Sequence, residues 1–599
     1  MPETNNKRPK FWAELKRRKV FKVVAMYAAV AFVIIELTNN IAEPLGLPSW
    51  TSTLIIVLLL IGFPFAIIFS WVFDITPEGI KKTENVNRTK PESSLKNRRL
   101  SLITIILLSI AVILLLFNQF RNTAANTNSD TDISSIAVLP LINLNQEVDD
   151  LEYFSDGVTQ EIIDELAKIQ SFTVTAFSTS YQYKNQDKPR SVIANELDVK
   201  YLMQGSAKVY RDSVWLSIEL FNPSTNQRIW NGRYNEILDN APSIQVSIAR
   251  QVARSLDIKL SDTEVSSLKQ INTINGEAFK LFLQAKAEIT KLTADGFDNT
   301  EKLLTRTLEL DPNYTQAHTL MAWTYVLGGA SWVKANSRSA TETITLATPH
   351  IEKAIKLDPK SSDIYLVRGN MHLNYTGLLN EAKNDVDLGL KLNSWPKIPT
   401  NYCICTVVST YTALGDYEKA GKVVELAKEV DPGNVFIYHD EAIIALAHGN
   451  FNEAQQLFTK AEDIYDIPFF NFYCGMSYYH DEKYYEAITH LEKAVDDNGV
   501  LIALSTAYLS NAHYMLNNYD KSERYKNELT DRQLSGEHHT NLPMAIISAV
   551  QNDAESTLMW LERAQEFSDW GITRHTMFDP LFDSFKNEPR FVDIRNKML

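Results

Sequence analysis

The stretch GDYEKA (residues 415–420) returns as GNFNEA at 449–454, as EKYYEA at 482–487 and, more loosely, as NNYDKS at 517–522. The closing alanines Ala420, Ala454 and Ala487 lie 34 and 33 residues apart, and a second set, Ala427, Ala461 and Ala494, keeps the same step. A fixed period of this size marks a stacked helix–turn–helix repeat. Alanine at the recurring positions lets two helices approach closely, while Phe, Tyr and Leu fill the gaps between them. A single unit cannot cover its own apolar face, so stacking supplies one continuous core. Pro432 closes one unit, and Gly475 and Tyr478 occupy the tight positions of another. Upstream, LELDPNYTQAHTLMAWTYVLGG (308–329) and IEKAIKLDPKSSDIYLVRG (351–369) share a helix-ending LDP.

This is the tetratricopeptide (TPR) pattern. It predicts five or six units between about 274 and 530, one of them stretched by the insertion SWVKANSRSATETIT (331–345). The tail, LPMAIISAVQNDAESTLMWLERAQ followed by DPLFDSFKNEPRF, resembles a closing helical pair, giving a cap over 531–599. Solenoids of this kind present a concave groove to extended peptides or partner helices. The repeat register places Tyr402, His439, Phe472, Tyr479 and Tyr514 as groove-facing candidates.

Toward the other end the composition changes. Residues 1–22 hold eight Lys/Arg against two acids, and the count through Arg121 reaches +8. With a formal net charge of −14 for the whole chain, the remainder stands at −22. An acidic body repels phosphate backbones, so nucleic acid is not an expected partner. After a short basic arm (1–20), the segment 21–120 contains three apolar runs at about 21–37, 53–73 and 100–117. Each approaches the ~20 residues needed to cross a bilayer, which predicts three transmembrane helices. The loop Thr38–Ser52 lacks Lys and Arg, whereas Asp74–Arg99 holds seven. Basic loops stay on the cytoplasmic side. The expected placement is therefore a multi-pass protein of the inner membrane, with its N-terminus cytoplasmic and its C-terminal body periplasmic. Within the runs, Glu36 reads as a headgroup-reaching acid, and Gly62 with Pro64 as a tolerated kink.

Residues 121–134 (RNTAANTNSDTDIS) form a polar linker, and 135–260 read as a small α/β domain. Strands are expected at 135–143 and 172–177, helices at 156–169 and 191–197, then a meander (201–210, 213–221, 228–234) and a helix at 244–256. The runs IAVLPLINL, LEYFSDGVTQEIIDELAKI and VKYLMQGSAKV, with Trp230, resemble the TolB amino-terminal-like domain. FWAELKRRKVFKVVAMYAAVAF and DITPEGIKKT resemble the anchor that precedes this domain in bacterial TPR proteins. The resemblance extends to the outer part of cyclase and CadC-like architectures, without their output domain. The family-like Pro140, Phe154, Ser155, Asp156, Gly157, Gly205, Ser206 and Trp230 all have sufficient structural readings.

The three cysteines, Cys403, Cys405 and Cys474, form neither a disulfide framework nor a zinc pattern and read as core residues. There is no phosphate loop, dinucleotide fingerprint, HExxH or GxSxG. His538 and His539 read as loop residues. The expectation is a non-enzyme without cofactor or metal: a multidomain chain of three transmembrane helices, a small α/β domain and an all-α TPR solenoid. It would act as an envelope scaffold for other proteins or peptides. The alternative is an accessory sensor whose α/β domain binds a ligand and signals across the membrane.

Overall fold

The structure is a computed structural model. It describes residues 134–145, 152–268, 273–291, 293–329, 338–392, 401–464, 468–496, 501–569, 571, 573 and 579–599, with short pieces between 23 and 82. Residues 1–128 and 129–599 make two separate units.

The first unit corrects the membrane reading. Among the described residues, no helix is long and apolar enough to cross a membrane. Residues 26–32 form the longest helical run described there. Phe73, the last residue of the expected second span, is not helical. It opens strand β1 (Phe73–Thr76), which pairs antiparallel with β2 (Gly79–Lys82), Phe73 opposite Lys82. The fold class with three transmembrane helices and the multi-pass inner-membrane placement therefore do not stand. Glu36, Pro64 and the run 100–117 lie outside the described residues. Gly62 allows a close approach instead: the Tyr27 hydroxyl donates to the Leu59 carbonyl at 2.6 Å, and a Cβ on Gly62 would meet that hydroxyl.

The second unit begins with the α/β domain. Its strands are β3 (Ser134–Val138), β4 (Ile142–Asn143), β5 (Phe172–Val174), β6 (Tyr201–Tyr210), β7 (Ser213–Asn222) and β8 (Gln227–Ile237). The sheet runs β5-β3-β6-β7-β8, with β4 also on β6. Strand β3 pairs parallel with β5 and β6, and β6, β7 and β8 form an antiparallel meander with an irregularity at Leu220/Phe221. Helices α1 (Glu152–Ala167), α2 (Phe177–Tyr181), α3 (Arg190–Glu196), α4 (Ala241–Ser255) and α5 (Asp262–Ser267) complete it. The stretch at 135–143 is broken at Leu139–Leu141, and α1 begins four residues before Asp156. Asp156 thus lies inside the helix and pairs with Lys184 at 2.7 Å. Gly205 has no room for a side chain, since a Cβ there would stand 2.2 Å from the Ser217 carbonyl. Trp230 is half-buried and donates to Gln251 at 3.3 Å.

From residue 276 the chain is helical. The pairs are α6/α7 (Gly276–Ile289, Ala294–Leu310), α8/α9 (Thr315–Gly329, Ala340–Leu357), α10/α11 (Ser362–Met371, Leu379–Leu392) and α12/α13 (Asn401–Ala413, Tyr417–Val430). They continue as α14/α15 (Val435–Ala447, Phe451–Ile464), α16/α17 (Pro468–His480, Tyr484–Asp496), α18/α19 (Ile502–Met515, Tyr519–Leu534) and α20/α21 (Asn541–Val550, Ala554–Glu566). The last helix is α22 (Pro589–Met598), preceded by a 3-10 turn at Pro580–Phe585. Seven pairs therefore fall between 274 and 530, more than the motif alone marks.

The reason is visible in the second helix of each pair. Two buried positions seven apart recur in all eight: Thr300/Thr307, Ala347/Ala354, Ala382/Gly389, Ala420/Ala427, Ala454/Ala461, Ala487/Ala494, Ser522/Leu529 and Thr557/Ala564. All but Leu529 are small, so threonine and glycine do the work of alanine where the motif fades. The turn is equally constant. Gly415 and Gly449 take positive φ, and Glu482, Asn517 and Asn552 hold the same left-handed geometry without glycine. Side-chain caps follow, Asp416 accepting from the Lys419 N–H and Asp553 from the Ser556 N–H. The motif's aromatic packs on a neighbouring first helix: Tyr417 on His448 and Phe451 on His480 at the end of the helix that follows, Tyr484 on Tyr479 and Tyr519 on Tyr514 of the helix that precedes.

The α/β domain docks on this stack at two places. Gly157 brings α1 against Leu283 of α6, and Lys286 reaches Glu161 at 2.8 Å. Several pairs further on, Ser178 and Thr179 of α2 donate to the Asp431 carboxylate, both at 2.7 Å on Oδ1, and the Gly433 N–H donates to Thr179 Oγ1 at 3.0 Å.

Candidate functional site

The groove candidates separate once placed. Helix α12 carries Tyr402, whose side chain lies outside the described ones. His439 (2% exposed), Phe472 (0%) and Tyr479 (5%) are buried between helices. Phe472 and Tyr479 both meet the ring of Tyr508, at 6.0 and 5.2 Å. Tyr508 in turn donates to Asp579 at 2.6 Å, so the chain's own C-terminal segment covers this part of the first-helix face. Tyr514 is half-buried against Tyr519. The four described side chains do not form one exposed surface. Register counting assigned them to the groove, but it carries no information on what the C-terminus covers.

What does reach the surface lies at the turns. Tyr485, Tyr519 and Met515 are 71%, 55% and 44% exposed, on or beside the second helices of consecutive pairs. Tyr519 is the motif aromatic of its pair, and Tyr485 follows the motif aromatic Tyr484 of the pair before it.

Two groups of side chains have metal-ligating chemistry, and neither has a motif in the sequence. In the first, Cys405 of α12 meets His439 and Asp440 of α14, with one ligand atom of each within 4.8 Å of the others. His439 Nδ1 lies 3.0 Å from Asp440 Oδ1. Cys405 and His439 are 34 residues apart, the same rung of neighbouring first helices, and the next rung is Tyr473, whose ring meets His439 edge-on at 5.1 Å. The signal was available only after aligning the repeats column by column. In the second group, Cys474 Sγ lies 3.9 Å from His490 Nε2, and His490 Nδ1 lies 3.3 Å from Glu462. His490 stacks on Tyr478 at 5.2 Å. Burial pushes the Cys474 thiol up to about 12, and the neighbouring Glu462 charge adds to the rise. A thiol held protonated and fully enclosed is a poor nucleophile, although thiol, imidazole and carboxylate are in sequence.

Elsewhere, His318 and His350 face one another with Nδ1 atoms 2.9 Å apart, and burial with mutual repulsion moves His350 down to about 4. In the 538–539 loop His538 is exposed, while His539 is buried, which lowers it to about 4. Neither pair has a third ligand among the described residues.

Eight helix pairs with one register of small contacts, five of them sharing one left-handed turn, define a TPR-type solenoid among the described residues. No family model matches the chain. A curated protein, "Putative adenylate cyclase 3" of Rhizobium meliloti (strain 1021), is 27% identical over 221 residues, covering 36% of this chain and 37% of that protein. The chain thus spans little more than a third of the length of the curated relative it matches. Among solved structures, a tetratricopeptide repeat protein from Parabacteroides merdae shares 14% identity over 54% of this chain and 99% of its own, TM-score 0.27. Pseudomonas aeruginosa pilF shares 14% over 36% and 90%, TM-score 0.27. TolB from Acinetobacter baumannii shares 14% over 20% and 28%, TM-score 0.16. At these scores the assignment of the solenoid rests on its own geometry.

Proposed function

We propose that this chain is a non-enzymatic interaction scaffold, whose solenoid holds a partner protein at the turns of consecutive repeats. The observation that carries this reading is the exposed trio Tyr485, Met515 and Tyr519 on a rigid stack. Large aromatic side chains left in water on consecutive helix pairs suit a partner that covers them, and Tyr is enriched at interface anchors. The acidic body favours a basic or polar-apolar partner surface over an acidic one. The α/β domain is read as TolB amino-terminal-like; its parallel β3–β6 pair followed by the antiparallel meander supports that reading. Its docking on α6 and on the 431–433 turn would fix the solenoid's curvature.

The test is crosslinking in intact cells, comparing full-length protein with Tyr485→Ser/Tyr519→Ser. A Leu534→Ser variant, which alters an exposed apolar side chain elsewhere, serves as control. A discrete set of proteins lost only in the double variant supports the scaffold. Identical capture by all three overturns it at this surface.

A further inference from the structure

We propose that Cys405, His439 and Asp440 bind one thiophilic divalent cation of the zinc class. The three ligand types reach one point, with their donor atoms within 4.8 Å of one another. Zinc takes this set of thiolate, imidazole and carboxylate, and softer sulfur disfavours calcium or magnesium.

The electrostatics of the site supply an independent reason. Asp440 is 0% and His439 2% exposed. Among the described residues, Asp440 Oδ2 and His439 Nε2 are both buried without a hydrogen-bond partner. A carboxylate sealed from water with half its acceptor capacity unused is costly unless a cation compensates it. A divalent ion bound by thiolate, carboxylate and neutral imidazole gives +2 − 1 − 1, a neutral buried unit. Binding breaks the Cys405 S–H bond, and the proton leaves to solvent as the S–metal bond forms.

The surroundings fit. The rings of Phe469 and Tyr473 stand 4.9 and 5.1 Å from His439, an apolar wall that strengthens coordination. Cys405 is only partly covered, which leaves an entry path and a fourth position for water. The Glu462–Cys474–His490 group differs. There the imidazole already bonds at both nitrogens, Nε2 toward the thiol at 3.9 Å and Nδ1 toward the Glu462 carboxylate at 3.3 Å, so no imidazole nitrogen is left without a partner.

The experiment uses the full chain, stripped with chelator and titrated with Co²⁺, then with Zn²⁺ in competition. The expected result is a thiolate-to-cobalt charge-transfer band that saturates at one equivalent and is displaced by zinc. Cys405→Ser should abolish the band, and Asp440→Asn should weaken affinity at least about tenfold. Cys474→Ser should leave the band unchanged. Zinc should raise the melting temperature of the wild type and not of Cys405→Ser. Circular dichroism confirms that Cys405→Ser remains folded; its partly exposed side chain makes it the deciding variant. Absence of the band in the wild type, its survival in Cys405→Ser, or its loss only in Cys474→Ser overturns the proposal.

Discussion

The contacts between repeats and the contacts between the α/β domain and the repeats are built from opposite materials. Repeat meets repeat largely through small side chains, such as Ala420, Ala454 and Ala487, all fully buried. The α/β domain meets the stack at one close contact, Gly157 on Leu283, and adds charge and hydroxyl: Glu161 with Lys286, and Ser178 and Thr179 with Asp431. Apolar small contacts tolerate drift in register and can be copied down a chain. A polar seam works only where each group finds its one partner, so it occurs once and fixes one geometry.

The largest test of this contrast is at the seam. The Lys286 and Glu161 side chains are 16% and 6% exposed. Lys286→Met should leave Glu161 buried and uncompensated, at about 3–5 kcal/mol. Glu161→Gln/Lys286→Met should recover most of that. Urea unfolding of the three proteins decides; if the double variant is no better than the single, the seam is held by packing rather than by the ion pair. Next is the repeat contact. Ala454→Leu inserts three carbons where two helices touch, an overpacking worth about 1–3 kcal/mol. A loss smaller than that of Ala→Leu at an exposed helix position would show that this contact has slack.

The same contrast explains what was legible in the sequence. The stack could be read because the alanine step and the glycine turn repeat. It was under-counted because Thr300/Thr307 and Thr557 keep the role and lose the letter. The left-handed turns at Glu482, Asn517 and Asn552 hide the same way. The seam could not be read: Ser178 and Asp431 are 253 residues apart, and the Asp-Pro that closes a repeat carries no sign of a distant partner. Nor could the burial of Phe472 and Tyr479, which depends on where the Asp579 segment returns. The apolar runs at 21–37 and 53–73 had the composition of spans, but composition does not register that Phe73 leaves helical geometry for a hairpin.

A smaller effect concerns pH at the closing pair. Burial pushes Asp569 up to about 6, although the Leu542 N–H and the Asn541 amide donate to it. Between the ordinary value of about 3.9 and about 6 the folded state then holds the proton more tightly than the unfolded chain. Stability from this group is present at low pH and declines as pH rises through that window. His350, held down to about 4, acts with the opposite sign. The wild-type slope therefore mixes the two, and the comparison with Asp569→Asn isolates one. The variant should gain stability, relative to wild type, as pH goes from about 4 to about 7, by a few degrees in melting temperature. An unchanged difference across that range would mean that Asp569 stays charged throughout.

The smallest expected change is also the most informative about function. Tyr485 and Tyr519 contribute to the outside of the stack, where substitutions typically move stability by less than about 0.5 kcal/mol. Tyr519 does touch Tyr514 at 5.4 Å, so its loss should register slightly more than that of Tyr485, which is 71% exposed. Melting of Tyr485→Ser and Tyr519→Ser, singly and together, should stay within that narrow band and be additive, because two sites a repeat apart share no partner. If partner capture falls while melting does not, the aromatics are held out for binding. A double variant that melts several degrees lower would place them instead in the architecture of the turns, like Tyr484 against Tyr479, and the scaffold would need a different face.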